Sequence, residues 1–130
     1  MAEMVLRHLV SQRGVADQFD IKSAATSREE IGNSIYPPAE RMLRSKGVPV
    51  DKSKTARQVT KSDYEYYDNI YLMDRNNERN IMRILGSDPK KKIRMLLWRD
   101  VADPWYTGDF LTTYEDIMQG CEDILNEIGI

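Results

Sequence analysis

Only one of the 130 residues is a cysteine and only one is a histidine. A single thiol excludes an intramolecular disulfide and any cysteine-only metal cluster, and it confines thiol chemistry to Cys121. The single imidazole, His8, has no carboxylate or cysteine at ligand spacing and reads as an ordinary helix residue, so no metal and no cofactor is expected. No apolar run approaches the length of a bilayer crossing. The opening MAEMVLRHLV lacks the basic segment, long apolar stretch and small-residue cleavage site of a secretory leader. No membrane partner is expected, and the cytoplasm is the expected location. Charge of one sign is missing too: 19 basic against 21 acidic residues leave a net charge of -2, which gives a nucleic acid nothing to bind. Repeats and low-complexity linkers are absent. With 41% hydrophobic and 31% charged residues the chain has the composition of one globular domain, residues 1–130.

What is present is an alternation of helical and extended patterns. Ala2, Val5, Leu6, Leu9 and Val10 fall on one helical face, with Gly14 as the stop. Phe19 to Thr26 alternates apolar and polar residues and predicts a strand. Pro37 and Pro38 sit where a helix start tolerates them, and Gly47 supplies the left-handed cap of that second helix. Thr60 and Asp63 form a capping box for a short helix ending near Tyr67. A strand over Asn69 to Met73 follows, then a helix capped by Asp74 and closed by Gly86. Ile93 to Trp98 is an apolar run of strand length, as expected where helices cover both faces of a sheet. The last helix carries an apolar stripe from Tyr114 through Ile117, Cys121, Ile124, Leu125 and Ile128, with Thr112 and Glu115 as its expected capping box. Strands separated by helices imply an α/β fold, a doubly wound parallel sheet with helices on both faces. Such folds normally open on a strand. Here a helix comes first, so the first strand is expected to be missing.

Four passages together resemble the low-molecular-weight protein tyrosine phosphatases: SAATSREEIGN (23–33), TARQVTKSD (55–63), LMDRNN (72–77) and DPWYTGDF (103–110). Their order and spacing match as well. The resemblance implies the phosphotyrosine protein phosphatase I-like fold, a four-stranded parallel sheet whose first strand runs into a C-x5-R-S phosphate loop. In that family a stretch like MAEMVLR follows R-S-P directly. Met1 is therefore expected to correspond to an internal methionine, with the nucleophile loop lying outside this chain.

The implied reaction is attack of a thiolate on phosphorus, followed by hydrolysis of the phosphocysteine. The implied substrate is a phosphotyrosine protein or a small aryl phosphate. By resemblance Asp103 is the general acid, which must be protonated when phosphorus is attacked; burial or a neighbouring phosphate would favour that form. An Asp-Pro pair alone would only mark a turn. Trp105 and Tyr106 match the aromatic wall of the substrate cleft, with packing at the edge of the core as the plainer alternative. Ser23 matches a serine that supports the phosphate loop, or is simply a small residue at a strand end. Glu29 and Lys54 depart from the family pattern, an aromatic and a histidine respectively.

Cys121, on the apolar stripe, reads as a small buried hydrophobe rather than a replacement nucleophile. Tyr64, Tyr66, Tyr67 and Tyr71 are best explained by packing between helix and strand, with regulatory phosphorylation as the alternative. Lys90, Lys91 and Lys92 are expected to be a solvated face. Three readings follow. The first is a phosphatase whose fragment is inactive by itself. The second is a non-catalytic binding or self-associating pseudophosphatase domain, since loss of a central strand leaves unpaired backbone that a homodimer could satisfy. The third, an arsenate reductase of the same fold, needs several cysteines and ranks last.

Overall fold

A computed structural model describes residues 1–130, the side chain of Trp105 excepted. Two short parallel strands, β1 (Ile70–Leu72) and β2 (Ile93–Met95), form the sheet, in register Ile70↔Ile93, Tyr71↔Arg94 and Leu72↔Met95. The helix between them, α4 (Arg75–Leu85), is the crossover that a parallel pair requires. The other helices are α1 (Ala2–Gln12), α2 (Pro37–Ser45), α3 (Lys61–Tyr66), α5 (Pro104–Thr107) and α6 (Phe110–Ile128), with a 3-10 turn at Ala16–Gln18.

Side chains alternate across the sheet, so each face has its own core. Tyr71 and Met73 pack against the larger one, where Val5, Val10, Leu43, Cys121 and Leu125 are buried from α1, α2 and α6. Ile70, Leu72, Ile93 and Met95 turn the other way onto Ile81 of α4 and onto Val59. The α/β arrangement with helices on both faces follows directly from that alternation.

Local chemistry sets the helix ends. Asp74 accepts from the Asn77 N–H at 2.7 Å while the Asn77 amide oxygen accepts from the Asp74 N–H at 3.3 Å, a reciprocal cap that starts α4. Gly86, at φ 83, closes it. Thr60 and Asp63 make the expected capping box of α3. Asp63 also holds Arg57 at 2.8 Å; burial works against its charge, but the hydrogen bonds from Arg57 and Thr60 prevail and keep the carboxyl below its usual range.

Four expectations need correction. Phe19–Thr26 belongs to no sheet; only Ala25 is bridged, its N–H donating to the Arg57 carbonyl at 2.7 Å and its carbonyl accepting from Val59 at 2.8 Å. A strand requires a partner along its length, and Ser23 spends its N–H on a side chain instead. The run from Ile93 leaves the ladder after Met95, and Trp98 ends 87% exposed. The last helix starts two residues before Thr112: Asp109 caps it, accepting from the Thr112 N–H at 3.0 Å and its hydroxyl at 2.6 Å. Finally, of the three lysines expected to be a solvated face, Lys90 and Lys91 are exposed, Lys90 pairing with Glu65 at 2.6 Å, but Lys92 is half-buried and donates to the Tyr64 carbonyl at 2.6 Å. No helix among the described residues is long and apolar enough to cross a membrane.

Candidate active site

In open parallel sheets ligands collect beyond the carboxyl ends of the strands, because the loops diverge there. The carboxyl ends of β1 and β2 lead into Met73–Asp74 and into the segment 96–103. A backbone bond from Val101 N–H to the Met73 carbonyl, 2.8 Å, draws the two together. Asp103 emerges from this junction exposed, immediately before α5. Its carbonyl accepts from Tyr106 N–H at 3.1 Å and Thr107 N–H at 3.3 Å, so Asp103 and Tyr106 share one tight turn. Tyr106 is 85% exposed. Packing at the edge of the core does not describe it. The side chain of Trp105, the other half of the aromatic wall, lies outside the described residues.

The segment before Asp103 is fastened on several sides. Arg99 makes two parallel bonds to Asp116 of α6, 2.9 and 2.8 Å, and a third to the Asp100 carbonyl at 3.1 Å. The Arg99 hydrogen bond holds the Asp116 carboxyl below its usual range, and the Ala102 N–H adds to this. Asp100 accepts from the Arg75 N–H at the head of α4, 3.0 Å. Thr113 donates its hydroxyl to the Ala102 carbonyl at 2.8 Å.

Ser23 belongs to a second group. Glu3, in the first turn of α1 and only 7% exposed, accepts from the Ser23 N–H at 2.7 Å and from its hydroxyl at 3.0 Å. Arg7 stands 3.2 Å and Lys54 3.8 Å from the other carboxylate oxygen. Lys22 is crowded chiefly by Lys54, with desolvation and then Arg7 adding to it, and its ammonium is pushed below the usual lysine range. The group therefore joins α1 to the segment 19–25 and surrounds one buried carboxylate with basic side chains. Arg7 also donates to the Ile21 carbonyl at 2.7 Å, reinforcing the same junction.

Sequence reasoning singled out Asp103, Tyr106 and Ser23 but not Glu3, Arg99, Thr113 or Asp116. Glu3 carried a usable signal, an acidic residue in the first helical turn flanked by buried Met4 and Val5. Lys54, a departure from the family pattern, is a partner of that carboxylate. Cys121 is buried on α6, and burial pushes its thiol up to about 12. It is not a nucleophile at neutral pH. Of the tyrosines, Tyr64 is buried and donates to Asp88 at 2.6 Å, Tyr71 packs on the larger core, and Tyr66, 67% exposed, donates to Asp20 at 2.6 Å. Glu29 is exposed.

Comparison with known proteins gives a uniform result. The family model described as low molecular weight phosphotyrosine protein phosphatase matches residues 1–129. The low molecular weight protein-tyrosine-phosphatase YfkJ of Bacillus subtilis is 32% identical over 135 residues, covering 98% of this chain and 86% of its own length. The low molecular weight phosphotyrosine protein phosphatase of Homo sapiens is 32% identical over 143 residues, covering 98% and 85%. The crystal structure of YfkJ superposes with a TM-score of 0.92 at 31% identity, covering 98% of this chain and 84% of that one. That of the low molecular weight protein tyrosine phosphatase from Streptococcus pyogenes gives 0.90 at 33% identity, covering 99% and 83%.

Proposed function

The chain belongs to the low molecular weight phosphotyrosine protein phosphatase family, and from that premise we propose that it carries the acid and aromatic part of a phosphotyrosine monoester hydrolase. In this reading residues 1–130 are a single cytoplasmic domain. The thiolate and arginine come from a C-x5-R-S loop outside these residues, so the 130-residue chain is inactive by itself. Asp103 protonates the leaving aryl oxygen and then takes a proton from the water that resolves the phosphocysteine. A bound phosphate dianion would favour the protonated carboxyl in the first step. Tyr106 and Trp105 flank the substrate ring. Ser23, held by Glu3, presents the edge on which the phosphate loop rests. Either a phosphotyrosine protein or a small aryl phosphate fits as substrate.

The observation that carries this is the exposed carboxylate of Asp103 at the carboxyl end of a parallel sheet, one turn from an exposed tyrosine. Hydrolysis of para-nitrophenyl phosphate tests it. The chain as it stands should show no turnover. A version extended at its amino terminus by an apolar strand and a C-x5-R-S-P loop should turn over in an acid-dependent manner, and Asp103→Asn should cut its kcat by about 10²–10⁴-fold. Full activity of that substituted protein would refute the role.

A second reading, a non-catalytic self-associating domain, is favoured by the narrowness of the sheet. Among the described residues β1 has a ladder on one edge only, and 19–25 belongs to no sheet. Exposed strand edges recruit other strands. Sedimentation of the purified chain decides between them: a stable dimer with no gain of activity on extension would favour this reading.

A further inference from the structure

The path from β2 to Asp103 is held by more bonds than a surface loop requires. Arg99, Asp100, Val101 and Ala102 are each tied to a different place: Asp116, the head of α4, the end of β1 and Thr113. Thr113 and Asp116 are three residues apart on α6, so both point to one side of the helix, and both are buried. A carboxylate there is expensive. Its partner Arg99 keeps 44% of its side-chain surface exposed, and a pair open to water on one side confers little net stability, so its presence is better explained by the geometry it imposes. The guanidinium fork matches that task, because two bonds in one plane fix direction as well as distance.

We infer that Arg99, Asp116 and Thr113 form a positioning clamp for Asp103, acting through the backbone of residues 100–102 and touching no substrate. The inference rests on the reading of Asp103 as the proton donor. An acid displaced by even about 1 Å loses much of its effect, so a donor at the end of a free loop would need such a device.

The clamp can be read in the 130-residue chain without any turnover, from amide hydrogen exchange followed by NMR. Asp116→Asn and Arg99→Lys should each speed exchange at Val101, Ala102 and Tyr106 by about tenfold or more. Amides of Leu9 in α1 and Ile81 in α4 should stay within about twofold. Thr113→Val should loosen Ala102, and Thr113→Ser, which keeps the hydroxyl, should restore it. Should Asp116→Asn fail to fold, Arg99→Lys, which leaves a cation beside the buried carboxylate, carries the test. Equal acceleration in every element, or no acceleration at residues 101–106, overturns the clamp. Failure of the underlying reading looks different: the extended protein would keep full activity after Asp103→Asn, and the clamp would lose its purpose while these exchange rates stood unchanged.

Discussion

Gly120 meets Leu96 with no room for a side chain between them. A β-carbon built on Gly120 would lie 2.3 Å from the Leu96 Cγ and 2.7 and 2.8 Å from its two Cδ atoms. This contact brings α6 down onto the chain just beyond β2, and Leu96 is itself buried.

Gly120→Ala should therefore destabilise the fold. Inside a helix alanine is favoured over glycine by about 1 kcal/mol, whereas forcing a methyl into a packed contact costs about 1–3 kcal/mol. The second effect should win because Leu96 is hit at its branching carbon rather than at a movable tip. Urea unfolding should give a lower midpoint with an unchanged slope; a raised midpoint would show that Leu96 can move aside.

Leu125 has no exposed surface and closes the larger core. Leu125→Ala should cost about 2–5 kcal/mol, a large share of the stability of a domain this size. Near-native thermal unfolding of this variant would mean that the helices around it collapse into the space.

The Cys121 thiol, raised by burial to about 12, stays neutral in the folded chain where an unfolded thiol ionises near 9. The folded state thus holds the proton more tightly. Stability from this group is whole below about pH 9 and declines as pH rises from there toward about 12. Cys121→Ser should flatten that alkaline decline. At pH 8 the native thiol should react with an aromatic disulfide reagent only as fast as the protein opens; immediate stoichiometric labelling would contradict its burial.

Asp63 and Asp116 act in the opposite sense. Hydrogen bonds hold both carboxyls below the ordinary aspartate range, so their contribution is complete above about pH 4 and is lost as pH falls through the folded values. Acid unfolding should move to lower pH in 50 mM salt than in 1 M salt only to the extent that these partly buried pairs are screened, which is little. Asp63→Asn removes the Arg57 pair and weakens the α3 cap. It should cost about 1 kcal/mol at pH 7 and progressively less as pH falls through the folded value of Asp63.

Tyr106→Ala distinguishes ring recognition from packing. An exposed side chain contributes within about 0.5 kcal/mol to stability, so the thermal midpoint should barely change. In the extended protein KM for aryl phosphates should rise several-fold while KM for alkyl phosphates does not. Equal changes for both classes would remove Tyr106 from the ring's surroundings.

The helices were legible because their information is local. Apolar spacing gave α1 and α6, Thr60 with Asp63 gave α3, and Asp74 with Gly86 bounded α4. The start of α6 was misplaced because two signals overlap: Thr112 resembles a cap, but Asp109 stands three residues before it and bonds both its N–H and its hydroxyl. Phe19–Thr26 failed for a different reason. Its pattern states that it can be extended, while a sheet also needs a neighbour along its length, and that neighbour is not written in the segment. The site divides the same way. Asp103, Tyr106 and Ser23 were found through motifs that resemble a family, whereas Arg99 and Asp116 are separated by 17 positions and nothing local to either one announces the other.

The sheet, two strands wide with an unequal core on each side, acts as a thin partition rather than a spine. The face carrying Ile81, Leu72 and Val59 shelters far fewer large side chains than the face built by α1, α2 and α6. Warming should therefore not loosen the molecule evenly. The α4 side should breathe first while the other half keeps its shape, and because Arg75 at the head of α4 grips Asp100, that early fluctuation would be transmitted to the approach of Asp103.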